Sequence, residues 1–472
     1  MYRRISYMQM KKKRARRRRM IKLGGALLMA VGIGGISLAL AVNALAAPES
    51  PGMEGIAYTE GEQEGIGETI SGNVAVPETP EVEETTRKED GKPAVVIDPG
   101  HGGADEGCAG EGIQEKNVNL AIARLVQDKL GRMGYQVIMT REDDTYMPKE
   151  ERVKIANEYG ADIYVSIHQN TYEDSSVEGI ETWYDGSDST RDSKRLAWLI
   201  HQETLNRTGA VQRQIREDAD FHVTGKTIMP ACLIETGFLS NPGEREKLSA
   251  SEYQEQIAEG IVRGIELYFH PKTMYLTFDD GPYVENTARV LDVLKARNIK
   301  ATFFLVGENV ERNPEMAKRI AAEGHTIGIH CYSHDYEAIY QSVDSYVQDF
   351  EKAYQVIKET TGVEAKLFRF PGGSVNAYNK KVCKEIAAEM TARGFIYYDW
   401  NASMEDAVKD PVPEQLIANA KESTLGREKV VLLAHDVVYA TGMCLDDLLE
   451  QLPEYRMEVL TEDLEPVHFQ MK

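Results

Sequence analysis

Residues 275–282 read YLTFDDGP. Tyr275–Phe278 is apolar, aromatic and β-prone, which suits a buried strand, and Gly281-Pro282 ends it abruptly. Two adjacent carboxylates, Asp279 and Asp280, therefore fall at a strand's C-terminal end, where barrel and open α/β folds place their chemistry. Taken alone, an acidic turn that caps the following helix explains the pair equally well.

The surrounding chain keeps alternating strand and helix. Thr287–Asn298 is amphipathic, Ala301–Gly307 (ATFFLVG) is a strongly apolar strand, Glu315–Glu323 is helical, and His325–Ile329 leads into His330-Cys331-Tyr332-Ser333-His334. That alternation predicts parallel β/α architecture. Two imidazoles four apart are modest evidence by themselves. With Asp280 they make a His/His/Asp metal set, with Asp279 free to act as base. Further strands at Leu367–Pro371, Phe395–Trp400 and Lys429–Ala434 run on to Pro371-Gly372-Gly373, Asp406 and His435-Asp436.

Upstream, Ala94–Ile97 is a short buried strand entering Asp98-Pro99-Gly100-His101-Gly102-Gly103. Asn117–Met133 is helical, with Glu115-Lys116 just before it. Ala161–Ile167 ends in His168-Gln169-Asn170, and Ala231–Ile234 ends in Glu235-Thr236-Gly237-Phe238. Strand ends and adjoining loops thus carry His101, Glu115, His168 and Glu235. Two histidines and a carboxylate are a usual catalytic zinc set, and a further carboxylate is needed as general base. Scattered His and Glu are otherwise structural residues more often than ligands.

At 472 residues the chain is too long for one ordinary domain. A formal charge of −22 argues against nucleic-acid binding, which needs a basic face. Five scattered cysteines form no disulfide framework and are expected as free thiols, several of them buried. Residues 1–22 are expected to be a basic, cytoplasmic N-terminus and contain Lys11–Arg19 (KKKRARRRR). Leu23–Ala47 carries no charge and exceeds the roughly 20 residues that span a bilayer, so a membrane anchor or a signal peptide cut after Ala44-Leu45-Ala46 is expected. Residues 48–91 read as a disordered acidic spacer. The domains then run over 92–269 and 273–472. So short a link between them predicts near-fixed contact.

Over the first domain, VVIDPGHGG, GIQEKNVNL, SIHQN and MPACLIETGFLSN, in that order, resemble the zinc-dependent N-acetylmuramoyl-L-alanine amidases (amidase_3 family). The resemblance implies a mixed-sheet α/β domain, Zn2+ held by His101, Glu115 and His168, and Glu235 as catalytic acid/base. It also implies Arg141 and Asn170 as substrate contacts, with Arg152 and Asn157 at recurrent positions. The interval between His168 and Glu235 is too short for a long autoinhibitory insertion, so activity without an activator is expected.

TFDDGP, HxxSH, RFPGG, a Trp-to-Asp segment and LLAHD closely resemble the NodB-like polysaccharide deacetylases (carbohydrate esterase family 4), a distorted (β/α) barrel. This resemblance implies Asp280, His330 and His334 as ligands of a divalent metal (zinc, cobalt, manganese or nickel), Asp279 as general base and His435 as general acid. The same resemblance implies that Arg369 holds Asp279, that Asp406 braces Arg369, that Leu433 lines the acetyl pocket and that the Tyr283 N–H completes the oxyanion site. Cys331, Ile329 and Ala407 depart from the usual pattern without removing a ligand, base or acid.

The expected whole is a bifunctional peptidoglycan hydrolase outside the cytoplasm, membrane-anchored or secreted, whose partners are glycan strands and stem peptides and whose two reactions are consecutive edits of one strand. The alternatives are a wall-binding or scaffolding protein with one inactive head, and a deacetylase acting on a chitin-like polymer or exopolysaccharide.

Overall fold

The computed structural model describes residues 91–471. The expected anchor and nearly all of the spacer lie outside that range. Among the described residues no helix is long and apolar enough to cross a membrane.

The first sheet has six strands: β1 (Ala94–Pro99), β4 (Gln136–Met139), β5 (Ile163–Asn170), β6 (Ile180–Tyr184), β7 (Gln212–Glu217) and β8 (Ala231–Phe238), with β2 (Ala109–Gly110) and β3 (Ile113–Gln114) forming a small separate ribbon. Their order is β4-β1-β5-β8-β6-β7, parallel except where β6 runs against β8. The central strands β1, β5 and β8 are buried nearly throughout, as parallel strands covered on both faces must be. Helices α1 (Glu115–Arg132), α2 (Ser193–Thr208) and α3 (Ser251–Phe269) cover one face through Val118, Ile122, Leu196, Ile200, Ile257 and Ile261. Helix α1 begins at Glu115 itself, earlier than its periodicity suggests.

The second sheet follows after two residues. Its path is β13 (Ile396–Tyr397), β12 (Leu367–Phe368), β11 (Thr326–Cys331), β10 (Thr302–Val306), β9 (Lys272–Asp279), β15 (Lys429–His435) and β14 (Ala402–Ser403), with β16 (Tyr455–Glu458) beside the first half of β9. Every pairing is parallel and the path stays open between β13 and β14, a curled and incomplete barrel. Period-two alternation sorts its residues. Met274, Leu276 and Phe278 join the large core under the helices, as do Val430, Leu432 and Ala434. Tyr275 and Val431 pack with Phe304, Leu367 and Tyr398 on the inner face, so Thr277, Asp279, Leu433 and His435 belong to that face as well.

The two sheets meet at the ends where their strands begin. Ser193 at the head of α2 accepts a hydrogen bond from the N–H of Ala231, the first residue of β8. Two residues on, Arg195 donates to the carbonyls of Leu267 and Tyr268 at the end of α3 and to that of Pro453, just before β16. Lys194 pairs with Glu450, and Arg263 lies 3.6 Å from Glu428 at the start of β15. His101, His168, Glu235, Asp279 and His435 all stand at the opposite, exiting ends. At 3.3 Å per residue each group is set roughly 15–25 Å back from the junction along its own strands. The two groups therefore face away from one another.

Candidate active sites

Two groups of three potential ligands occur among the described residues: His101, Glu115 and His168, and Asp280, His330 and His334. In each group the ligand atoms lie within 4.8 Å of one another. Three of these six residues, His101 (φ 61°), Asp280 (φ 76°) and His334 (φ 55°), adopt the left-handed backbone that non-glycine residues avoid. Such strain persists only where the surroundings impose it, and it concentrates at functional sites.

In the first group, β1 delivers His101, β5 delivers His168, and Glu115 enters at the first turn of α1. Glu115 Oε1 lies 3.2 Å from His101 Nε2 and 2.8 Å from His168 Nδ1. Gly100 permits the approach, because a Cβ there would come within 2.1 Å of the His168 ring. His101 Nδ1 is held by Asp105 Oδ2 at 2.8 Å, a carboxylate that turns Nε2 toward the cluster. Burial opposes the Glu115 charge, yet hydrogen bonds from the two imidazoles outweigh it and hold its carboxyl well below the usual range.

Glu235 stands across from His168 in the β5–β8 register, half-buried, with an Oε2 that is itself buried and has no hydrogen-bond partner. Burial, then the charges of Glu115 and Glu181, push its carboxyl well above the usual range. The cluster and this unpartnered buried oxygen suit a cation flanked by a proton-carrying acid. Behind the cluster, Asp98 accepts from Thr140, Arg152, Tyr164 and Ser166 at 2.5–2.7 Å. Arg152 continues to the carbonyls of Pro99 and His101.

Two expected substrate contacts look different here. Arg141 is buried and donates to the carbonyls of Pro99, Gly100, Lys116 and Asp143, four of the five N–H bonds a guanidinium has. It braces the ligand loops and leaves almost nothing for substrate. Asn170 stands two residues beyond His168 on β5 and bonds Glu181 at 3.3 Å. Asn157 ties its helix to Lys226 and Ile228, a structural role.

In the second group, His330 Nε2 and His334 Nε2 lie 3.3 and 3.1 Å from Asp280 Oδ1. That oxygen is buried with no partner in hydrogen-bond geometry, and three potential ligand atoms converge there. This arrangement fits a divalent cation. His330 Nδ1 bonds the Arg369 carbonyl at 2.9 Å, which aims Nε2 inward. Burial again opposes charge on Asp280, but both imidazoles pull its carboxyl well below the usual range. Cys331 is buried and stands outside the cluster.

Asp279 and His435 are directly paired in the β9–β15 register and flank this cluster. Arg369, fully buried, bonds Asp279 Oδ1 at 2.9 Å and Thr277 Oγ1 at 2.7 Å. Asp406 does not brace Arg369, whose remaining bonds go to the carbonyls of Tyr398 and Asp399. Its carboxylate instead bonds the ring Nδ1 and the backbone N–H of His435, both at 2.7 Å, and the Thr441 hydroxyl at 2.6 Å. The segment after β14 passes beside the end of β15, which linear order hides. Burial lowers the His435 pKa, but the Asp406 hydrogen bond and charge outweigh it and raise it to about 9.

The Tyr283 N–H is also not free. It donates to Thr287 Oγ1 at 2.7 Å, and Thr287 in turn donates to buried Asp436. Leu433 lies on the inner face two residues before His435. Asp98, Glu181 and Asp436 escaped the sequence reading because each is a lone acid whose partners are remote in sequence, and Asp105 because an acid four residues after a histidine carries no signal of its own.

Two convergent ligand sets, each beside a carboxylate able to move a proton, define a hydrolase with two separate centres. The N-acetylmuramoyl-L-alanine amidase family (Amidase_3) matches residues 95–267, and the polysaccharide deacetylase family matches 268–391. The chain belongs to both, one after the other.

The germination-specific N-acetylmuramoyl-L-alanine amidase of Bacillus subtilis is 34% identical over 192 residues, covering 38% of this chain and 80% of the relative. N-acetylmuramoyl-L-alanine amidase LytC of the same organism is 38% identical over 175 residues, which cover 37% of this chain but only 35% of LytC. The peptidoglycan-N-acetylglucosamine deacetylase of Bacillus cereus is 32% identical over 210 residues, covering 42% of this chain and 73% of the relative. The two families together with these relatives support peptidoglycan remodelling.

Proposed function

We propose that the chain cleaves the N-acetylmuramoyl-L-alanine amide bond at one centre and removes N-acetyl groups from peptidoglycan amino sugars at the other. The observation that carries this reading is the convergence, twice, of three metal-type ligands next to a further carboxylate placed to carry a proton. His101, Glu115 and His168 hold Zn2+ in the first centre, and Asp280, His330 and His334 hold a divalent metal in the second. The cations supply Lewis acidity to the carbonyl under attack.

At the first centre Glu235 takes the proton of the attacking water and passes it to the departing L-alanine amine. Its raised pKa suits a group that must hold that proton between the two steps. At the second centre Asp279, fixed by Arg369, takes the water's proton. His435 remains protonated at neutral pH through Asp406 and gives its proton to the leaving sugar amine. Leu433 supplies an apolar wall for the acetyl methyl. Asp406 and His435 lie beyond the matched residues 268–391, so their roles rest on this geometry. The substrate places the two domains outside the cytoplasm.

The test is mass spectrometry of purified peptidoglycan after incubation with the full chain, Glu235→Gln and Asp279→Asn, each with metal content measured. The expected parent carries two metal ions per chain, frees stem peptides and leaves deacetylated sugars, and each product disappears with its own variant. A metal-replete parent that releases neither product points instead to a wall-binding protein.

A further inference from the structure

Five tyrosines are exposed among the described residues: Tyr146, Tyr172, Tyr283, Tyr378 and Tyr439, at 48–59%. The other described tyrosines are buried or partly buried. A tyrosine needed for packing is drawn inward, and a ring left in water costs apolar exposure. All five stand on segments that leave the exiting ends of strands, the ends that carry the two ligand clusters. Tyr146 abuts Gly103 in the His101 loop, and Tyr172 follows β5. Tyr283 follows β9, Tyr378 follows β12, and Tyr439 opens the helix after β15. None lies at the junction between the sheets.

Tyr378 is the most firmly built of them. Its ring lies 5.2 Å from that of Tyr336, which meets the His334 imidazole edge-on at 5.1 Å. A continuous aromatic path therefore runs from a ligand of the second cluster to the surface. Tyr336 lies over Gly372 (φ 72°), where a Cβ would come within 2.8 Å of the ring. The loop bearing Tyr378 is pinned from within. Asn376 Oδ1 accepts from the N–H groups of Tyr378 and Asn379, and Asn376 Nδ2 donates to Pro371 and Gly373. Asn379 Nδ2 donates to Gly373 as well. The exposed ring is thus held in place before any ligand arrives, which limits the entropy lost on binding.

We infer that Tyr378, backed by Tyr336, is a sugar-stacking subsite of the deacetylase centre. It takes the apolar C–H face of a pyranose adjacent to the sugar whose acetyl group lies over Asp280, His330 and His334. Tyr283 and Tyr439 form the opposite rim. An uncharged pyranose suits this surface, since a chain of net charge −22 repels polyanions and an aromatic face needs no charge to bind. The inference rests on the deacetylase reading of this centre and names how that centre grips its polymer.

The experiment uses the full chain carrying Asp279→Asn, so that the probe is not consumed, and titrates it calorimetrically with the β-1,4-linked N-acetylglucosamine tetramer. Adding Tyr378→Ala is expected to weaken binding about tenfold, whereas Tyr378→Phe, which keeps the ring, stays within twofold. Leu425→Ser alters a residue 76% exposed but remote from both centres, and leaves the affinity unchanged. An Ala variant that binds normally, a Phe variant as weak as Ala, or an equal loss with Leu425→Ser each overturns the stacking subsite. Failure of the deacetylase reading shows separately, as a parent chain that binds the tetramer yet releases no acetate from it.

Discussion

Replacing Asp98 by Asn tests the frame behind the first centre. Asp98 is 1% exposed, and all four of its hydrogen bonds are donated to it, one of them by the guanidinium of Arg152. Asparagine keeps the shape but offers one acceptor and turns an N–H2 toward groups that were donors. It also leaves the Arg152 charge, 5% exposed, without its partner. Breaking a buried pair in this way costs about 3–5 kcal/mol. For a domain of this size that is a fall in Tm of about 6–20 °C.

Arg152 also holds the carbonyl of His101, so the loop loosens and the metal affinity of the proposed centre is expected to drop about 10–100-fold. Calorimetry on the full chain, with hydrogen exchange of the β1 and β5 amides to assign the transition, reads the first effect. Competition with a chromophoric chelator reads the second. The pH dependence adds a signature. Burial works against the Asp98 charge, but Arg152 and the three hydroxyl donors hold its carboxyl below the usual range. Its contribution is therefore complete above the unfolded value of about 3.9 and is lost as pH falls through the lower folded value. The gap between parent and variant is wide at pH 7 and closes below about pH 4. A shift of under 2 °C with unchanged metal affinity would falsify the bracing role.

Asp406→Asn is expected to lower acetate release by about 10²–10⁴-fold, the usual worth of a positioned acid, through loss of the His435 partner. The alkaline limb of the pH–rate profile should move to lower pH as the imidazolium loses the charge that stabilises it. A variant that slows without that movement returns Asp406 to a purely structural role. The opposed placement of the centres gives the other prediction. An equimolar mixture of Glu235→Gln and Asp279→Asn full chains, at the same concentration of working sites, should yield sugars that are both stripped and deacetylated as fast as the parent does. Faster double editing by the parent would show direct hand-over from one centre to the other.

How far each centre was legible depended on sequence distance. The ligand-type residues were readable because each lies at or near a strand's end or opens a helix within a short string: DPGHGG, IQEK, IHQN, FDDGP and HCYSH. The Arg369–Asp279 pair was readable from the resemblance alone. The parts that went astray were contacts between loops. Arg141 turned out to serve four carbonyls, Asp406 to hold His435, and the Tyr283 N–H to be spent on Thr287. Each depends on which loop end lies beside which, and in a parallel sheet neighbours are set by crossovers whose length leaves no mark at the residues they bring together.

By itself, the sequence determined two α/β units in tandem, their buried strands and the six ligand-type residues. Strand alternation, glycine turns and side-chain chemistry are local properties. Tertiary structure alone decided that the two centres point away from one another, that Asp98 and Arg152 support one while Asp406 supports the other, and that the exposed tyrosines gather at the catalytic ends. These follow from packing whole sheets together at their entering ends. That packing is set by the joint fit of Lys194 and Arg195 with Glu450 and Pro453, 256 and 258 residues away, and of Arg263 with Glu428 in another segment, which no window of sequence contains.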